Sequence, residues 1–442
     1  MYAKIVGLLR NPPEFFKKAA LSFVMRFGGL FLQFGGSIVV ARALGAEGFG
    51  AFALASTWAV FVGMMLALGL GELSIREIPT YLAKGRKGPI VGYLTTTFST
   101  IVVTGIIAAI VFAVLEKTEL LVLAPGWKLV ALVAFVHALV LTVSHTLNGF
   151  QRILTSQLLE AFGRQILYLL LIGSVLVAGY TLSPTKLFVI TLAAAIPMLV
   201  AMIWVLSRAW VKQETGPALP EYNLKLWFAG AVPLLMTAFA NRLQLDLDVL
   251  MVGSMLGDFE VGIYRAAARG AILVSIANMV ALQLVGPMLS RSLANNDHDA
   301  AQGYLRQAAL VSFVTGISIC LIFGIGAKFY LGLYGPEFPA ASRALRILLI
   351  GQATIALAGP DAILLIMLRR ERLVMIVTTI GVAMNFILNY TLIEPYGIQG
   401  AAIASFVSMA FVRITLVSFI LRTTRFNPTI TSYFPAFSRR SG

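Results

Sequence analysis

Acidic residues, cysteines and charged residues in general are scarce in this sequence of 442 residues. Cys320 is the single cysteine, so the chain can form neither an internal disulfide framework nor a cysteine metal site. Charged residues account for 12% of the chain, against roughly 25% in soluble domains, while hydrophobic residues reach 59%. A water-soluble fold could not bury so much apolar surface. The composition therefore predicts a polytopic membrane protein.

Motifs of several enzyme classes are also missing. The sequence contains no Walker A loop, no H-E-x-x-H and no G-x-S-x-G, which argues against the common sites of ATP hydrolysis, zinc proteolysis and ester hydrolysis. We therefore expect a protein that is not an enzyme and holds no metal. The net charge of +15 would suggest a nucleic-acid partner in a soluble protein, but the positive-inside rule accounts for it here, and we expect no nucleic acid.

Long apolar runs predict an all-α fold of about twelve transmembrane helices, joined by short connections. We place them near residues 20–42, 49–72, 92–114, 128–148, 153–178, 184–207, 226–253, 261–288, 304–327, 340–367, 373–393 and 400–421. Lysine and arginine favour one side of the membrane by roughly four to one, which predicts a multi-pass protein of the plasma or inner membrane with both termini in the cytoplasm. The polar tail after Arg425 is predicted to be disordered.

A short motif occurs twice, in LGAEGFGAFALA (44–55) and LGDFEVGIYRAA (256–267). Both read L-G-x4-G-x-aromatic-x-x-A, and each follows the first span of a six-span half. The spacing predicts a parallel repeat with an N-lobe (1–208), a cytoplasmic linker (209–225), a C-lobe (226–421) and a cytoplasmic tail (422–442). Transporters built from such repeats bind substrate between the halves. Tight turning and close backbone approach explain the glycines more simply than substrate contact does.

Eight arginines lie inside predicted spans, together with only four acids. Arg265 and Arg343 lie within one turn of the outer edge, where they can snorkel to the headgroups. The deeper six are Arg26, Arg164, Arg242, Arg269, Arg346 and Arg413. A charge at mid-bilayer costs about 2.5–3.5 kcal/mol, so these side chains must face water, acids or an anionic ligand. The excess of arginine predicts a cationic cavity suited to phosphate, with structural pairing or carbonyl capping as the alternative for each residue.

The four acids are Glu160, Asp246, Asp248 and Asp361, and any of them could bind H⁺ or Na⁺ as a coupling ion. A spacing of four residues predicts that Glu160 pairs with Arg164 and that Asp246 pairs with Arg242. Asp248 points to another face of its helix. His137 and His145 could carry protons or be ordinary interior histidines. Asn385 and Asn389, also four apart, predict interhelical hydrogen bonds.

Three stretches resemble a known family. ARALGAEGFG (41–50) and GLGELSIREI (69–78) resemble the opening of Wzx-type oligosaccharide flippases in the multidrug/oligosaccharidyl-lipid/polysaccharide (MOP) exporter superfamily. NFILNYTLIEPYGIQGAAIAS (385–405) is similar to that superfamily's N-x3-N-x2-L-I-P-x-Y-G-x2-G-A-A segment, with Glu394 as an insertion. The resemblance implies twelve or fourteen helices in two six-helix lobes.

The resemblance also implies an activity and its partners. The expected activity is alternating-access flipping of an undecaprenyl- or dolichyl-pyrophosphate-linked oligosaccharide to the outer leaflet, among membrane lipids and beside polysaccharide polymerase machinery. Cationic cavity residues would engage the pyrophosphate, and H⁺ or Na⁺ would be the coupling ion. Lipid II flippases usually add two C-terminal helices, and MATE-like multidrug exporters usually carry an acid on the first span, where this chain has Arg26. A non-transport scaffold would leave the deep charges unexplained.

Overall fold

The computed structural model describes residues 14–117, 127–211 and 219–433, and every regular element in these ranges is a helix. The α-helices are α1 (Glu14–Ala67), α2 (Leu70–Ala83), α3 (Gly88–Lys117), α4 (Trp127–Gly149), α5 (Ile153–Gln157), α6 (Arg164–Val177), α7 (Pro184–Val211), α8 (Leu224–Met255), α9 (Asp258–Ala294), α10 (His298–Ile325), α11 (Ala327–Gly332), α12 (Ser342–Ala358), α13 (Asp361–Met367), α14 (Glu371–Tyr396) and α15 (Ile398–Thr423). Ten helical stretches among the described residues are long and apolar enough to cross a membrane. The predicted class of polytopic helical membrane protein is confirmed, and the number of twelve spans stays a prediction.

The first two predicted spans are joined by a single residue instead of a loop. α1 runs for 54 residues and is interrupted only at Gly45, whose φ of 71° and ψ of −178° are not helical. Glycine adopts this left-handed φ without steric cost, so the chain can turn between two helical arms at one position. The second arm ends at Ala67, and positive φ angles at Leu68 and Gly69 lead into α2.

Two predicted spans are interrupted at mid-length. The span predicted at 153–178 contains a π-helical turn, Leu158–Gly163, between α5 and α6. A π-turn adds one residue to the helical repeat and is frequent at functional sites. The span predicted at 340–367 breaks between α12 and α13, where Gly359 has a φ of 67° and Pro360 lacks a backbone donor. Each break moves the side chains that follow it away from the positions that a continuous helix would give.

The chain forms two compact units. Unit 1 comprises Met1–Leu44 and Ala55–Arg242, and unit 2 comprises Gly45–Leu54 and Leu243–Gly442. The sequence assigned all of α8 to the C-lobe, but the first part of α8, up to Arg242, belongs to unit 1. The segment Gly45–Leu54 in turn belongs to unit 2, although the chain on both sides of it belongs to unit 1.

The core of unit 1 anchors the start of α8. Trp227 is fully buried, and its ring lies edge-on to Tyr93 with centroids 5.2 Å apart. The Trp227 indole N–H donates to the Tyr81 hydroxyl at 2.9 Å, which satisfies its only polar group. The Tyr93 hydroxyl donates to the backbone carbonyl of Leu70. α2, α3 and α8 are therefore tied together by aromatic side chains whose polar atoms all have partners.

The core of unit 2 includes part of the tail that the sequence predicted to be disordered. Phe426 is buried among side chains of α9, α10, α13 and α15. Asn427 exchanges two hydrogen bonds of 2.9 Å with the Gln302 side chain, and residues 430–433 form a 3₁₀ turn. The prediction was wrong for residues 426–433 because one aromatic ring supplies enough apolar burial to order a polar segment. Residues 434–442 lie outside the described part of the chain.

Candidate functional site

Two of the predicted arginines act on one histidine in unit 1. Arg164 begins α6 and Arg242 lies on α8, and the charges of both act on the His137 ring of α4. His137, Arg164 and Thr191 are the polar members of a small pocket whose other walls are aliphatic side chains of α4 and α7. Two positive charges that act on the same place attract an anion. The arrangement therefore suits a small anionic group such as a phosphate.

Glu160 does not make the side-chain pair with Arg164 that its spacing predicted. The Arg164 Nε donates to the backbone carbonyl of Glu160 at 3.2 Å, while the Glu160 carboxylate accepts a hydrogen bond of 2.7 Å from the Ser144 hydroxyl. Ser144 and Ser156 are also hydrogen-bonded, at 2.6 Å. The π-turn is the physical reason, because its longer repeat rotates residue i+4 out of line with residue i.

The C-terminal half of α4 carries buried polar atoms that have no hydrogen-bond partner within the described ranges. They are the Thr142 Oγ1, the His145 Nδ1 and the Asn148 Oδ1. Each such atom costs about 1–3 kcal/mol if it stays unsatisfied, so water or another polar ligand is expected beside them. For His145 the sequence left two alternatives, a proton carrier or an ordinary interior histidine. The structure fits both of them equally well.

Asp248 is the centre of a polar cluster in unit 2. Its carboxylate accepts hydrogen bonds from the Tyr264 hydroxyl at 2.7 Å, from the Asn389 amide at 2.8 Å and from the Ser405 hydroxyl. Asn389 also donates to Asn385 of its own helix. The predicted interhelical hydrogen bonds of the two asparagines are those from Asn389 to Asp248 and from Asn385 to Ser405, the latter at 3.4 Å. These side chains come from α8, α9, α14 and α15.

One oxygen of the Asp248 cluster has no described partner. The Oδ1 of the fully buried Asn389 accepts no hydrogen bond from the described residues. It lies on the same amide that donates to Asp248. One carboxylate, amide oxygens and hydroxyl oxygens are the ligand types that hard cations such as Na⁺ bind, and the carboxylate alone could take up H⁺. The cluster can therefore hold a monovalent cation.

Asp246 pairs with Arg265 of the neighbouring helix α9. The Arg265 Nη1 lies 2.5 Å from the Asp246 Oδ1, and the two side chains are 17% and 3% exposed. The expectation that Arg265 reaches the headgroups was therefore wrong. The sequence also predicted a pair between Asp246 and Arg242 on the same helix, and that pair stays a prediction. This pair gives Asp246 a buried cationic partner, and its predicted role in ion coupling stays a prediction.

The remaining predicted arginines have separate surroundings. The Arg413 Nη1 donates to Asp361 at 2.8 Å, and the Asp361 side chain is only 2% exposed. Arg346 is exposed and donates from Nε to the carbonyl of Gly324, in the last turn of α10. The charge of Arg269 acts on Tyr330 in unit 2. The side chain of Arg26 lies outside the described residues, so its predicted role in a cavity stays a prediction.

Sequence reasoning missed Tyr264 and Ser405 as partners of Asp248. Tyr264 holds the aromatic position of the second motif copy, and Ser405 ends the NFILNYTLIEPYGIQGAAIAS stretch. Both therefore lay inside segments that the sequence had singled out. No spacing rule joins them to Asp248, because Ser405 is 157 residues away along the chain.

Comparison with known proteins gives a family for this arrangement. Residues 15–293 match a family model described as polysaccharide biosynthesis protein, and residues 233–391 match the MatE family model. The chain is 25% identical over 218 residues to the "Probable low-salt glycan biosynthesis flippase Agl15" of Haloferax volcanii. That match covers 48% of this chain and 45% of the relative, so it spans less than half of the relative's length.

Two solved structures share the fold at low identity. The lipid II flippase MurJ in its inward closed conformation matches with a TM-score of 0.68 and 16% identity over 92% of this chain and 88% of that chain. An inward-facing multidrug resistance MATE transporter of the MOP superfamily matches with a TM-score of 0.67 and 13% identity over 90% of this chain and 96% of that chain. Since the first family model covers more than half of its residues, this chain belongs to the polysaccharide biosynthesis protein family.

Proposed function

We propose that the protein moves a polyprenyl-pyrophosphate-linked oligosaccharide from the cytoplasmic to the outer leaflet of the cell membrane by alternating access. The observation that carries this proposal is the family membership over residues 15–293, supported by a relative named as a glycan biosynthesis flippase. Both termini lie in the cytoplasm in this proposal, as the distribution of lysine and arginine predicts. Transport without covalent chemistry agrees with the flippase and transporter names of the relatives.

The pocket of unit 1 supports a pyrophosphate as the recognised group. Arg164 and Arg242 offer planar guanidinium forks, which match phosphate oxygens in two parallel hydrogen bonds. His137 and Thr191 add polar groups on neighbouring helices. The sugar would then lie in water and the polyprenyl tail in the bilayer, so that only the charged head must be stabilised.

The Asp248 cluster supports a coupling ion at a place separate from the anion pocket. Of the four predicted acids, Asp246 and Asp361 are held by Arg265 and Arg413, and the Glu160 carboxylate is held by Ser144. The described hydrogen bonds to Asp248 all come from neutral groups, whereas the charge of Glu160 acts on the neighbouring Arg164, so Asp248 is the better candidate for attracting a cation. Na⁺ or H⁺ bound there would supply the energy for returning the empty carrier.

Reconstituted vesicles test the substrate class directly. The purified protein is placed in liposomes with a fluorescent polyprenyl-pyrophosphate oligosaccharide, and an impermeant lectin or quencher reports which leaflet holds the sugar. We expect movement of the pyrophosphate-linked lipid and none of a neutral polyprenyl glycoside with the same sugar. Equal movement of both lipids would contradict recognition through the pyrophosphate.

The MatE match over residues 233–391 favours a second candidate, a cation-coupled exporter of small molecules. The same vesicles, loaded with cationic dyes and given a Na⁺ or H⁺ gradient, separate the two. Dye export without movement of the glycolipid would replace the first proposal by the second.

A further inference from the structure

The segment Gly45–Leu54 packs within unit 2, although the chain on both sides of it belongs to unit 1. It begins at the break in α1 and carries the first copy of the L-G-x4-G motif. None of its residues belongs to the pocket around His137 or to the Asp248 cluster. The transport site therefore leaves both the segment and its motif without a role.

The two motif copies cross each other in direct backbone contact. Gly50 and Gly262 hold equivalent positions in the two copies, as do Ala46 and Asp258. A Cβ added to Gly50 would collide with the backbone of Asp258, and one added to Gly262 would collide with the backbone of Ala46. The contact is thus reciprocal. Only glycine at both positions lets two helix starts approach so closely.

Glu337 holds the start of the segment. The backbone N–H of Ala46, the first residue after the break, donates to the Glu337 Oε2 at 2.7 Å. This N–H has no acceptor within its own helix, and a carboxylate at a helix start is electrostatically favourable. The ring of Phe49 packs edge-on against Phe338, with centroids 6.1 Å apart. Ala46 and Phe49 are buried, whereas Glu337 is exposed.

These contacts are of kinds that can break and form again. At the crossing of Gly50 and Gly262 there are no side chains to interlock, and the Phe49 ring, which packs against Phe338, must move away with the segment. Water can replace the exposed Glu337 carboxylate at the Ala46 N–H, because the carboxylate already faces solvent.

We propose that Gly45–Leu54 is a releasable latch, that Glu337 is the positioning residue that holds it, and that the latch must leave unit 2 before the transport path can open to the outer side. This inference rests on the proposed function only in requiring a transport cycle, whatever the substrate. The repeated motif then has a purpose: it supplies the two glycines at which the latch docks.

Cross-linking tests whether release is needed. In a Cys320→Ser background, the pair Ala46→Cys and Glu337→Cys is joined by a short cleavable bis-thiol reagent. We expect cross-linking to stop transport and cleavage of the linker to restore it. The matched control is the pair Gln302→Cys and Asn427→Cys in the same unit, where the Gln302 side chain lies 2.9 Å from the Asn427 backbone carbonyl. This control pair should cross-link without loss of transport. Full transport by the cross-linked latch, or a latch pair that fails to react while the control reacts, would overturn the proposal.

A second measurement needs no substrate. The rate at which an impermeant thiol reagent labels Ala46→Cys from the outer side reports how often the latch opens. Glu337→Ala should raise this rate about tenfold, since it removes a charge-assisted hydrogen bond, and Glu337→Gln should raise it less. Gly303→Ala, where an added Cβ meets nothing within 4 Å, should leave it unchanged. An unchanged rate in Glu337→Ala refutes the latch, whereas a raised rate in vesicles that do not move the glycolipid refutes only the proposed substrate.

Discussion

Replacing Asp248 by asparagine is the sharpest test of the ion site, because it removes the charge and keeps the shape. In the structure the carboxylate accepts from Tyr264, Asn389 and Ser405. An asparagine NH₂ would turn one acceptor into a donor that faces other donors, which costs about 1–3 kcal/mol of stability. A cation about 4 Å from the lost charge, at an effective dielectric constant of about 20, would lose about 4 kcal/mol, or about 10³-fold in affinity.

Calorimetric titration of the purified protein with NaCl against choline chloride measures the binding of Na⁺. Flipping in vesicles, at varied Na⁺ and varied pH, measures its coupling and includes the case of H⁺. We expect Asp248→Asn to lose the ion dependence while the protein still inserts and unfolds cooperatively. Asp299→Asn, at an exposed acid in the first turn of α10, is the matched control and should behave as the unaltered protein does. An Asp248→Asn variant whose flipping still responds to Na⁺ or pH as before would refute the assignment.

Three further predictions concern stability, and thermal unfolding in detergent measures all of them. Arg265→Met alone should lower the free energy of unfolding by about 3–5 kcal/mol, because it removes the cationic partner of the buried Asp246. Adding Asp246→Leu should recover most of this loss, and a double variant without recovery would contradict a stabilising pair between the two residues. Gly359→Ala should cost at least about 2 kcal/mol, since its φ is 67° and a Cβ would meet the C-terminal segment, whereas Gly303→Ala should change stability by less than about 1 kcal/mol. Phe426→Ala should cost about 3 kcal/mol, and an unchanged melting temperature would mean that the segment after α15 is not docked.

The sequence was sufficient for the class of fold, because hydropathy depends only on residues that are neighbours in the chain. It also singled out the repeated motif, and the structure gives both copies a glycine that leaves the helical region, Gly45 and Gly257. Interruptions inside a span were harder to predict. The π-turn at Leu158–Gly163 has no proline and no charge cluster that would have set it apart from a regular helix.

Partners of buried charges could not be predicted from one helix at a time. Helical spacing could point only to Arg242 as a partner of Asp246, whereas the structure also places Arg265 of the next helix 2.5 Å from its carboxylate. The same limit applies to Asp248, whose partners follow it by 16, 141 and 157 residues. Sequence spacing predicts contacts only between residues one turn apart on the same helix. A buried charge is instead satisfied by whichever donor the tertiary packing brings near, from any helix.

The most direct test of the central claim compares arginines by their surroundings. Arg164→Ala and Arg242→Ala should each slow flipping of the pyrophosphate-linked oligosaccharide by about 10- to 100-fold, the value of one charge-assisted bond to phosphate. Arg346→Ala removes an equal charge from an exposed side chain that holds only the carbonyl of Gly324, so it should leave the rate unchanged. The flipping rates of the three variants are measured in the reconstituted liposomes described above, at equal protein density. Unaltered flipping in Arg164→Ala and Arg242→Ala, or an equal loss in all three variants, would contradict recognition of the pyrophosphate by the two arginines whose charges act on His137.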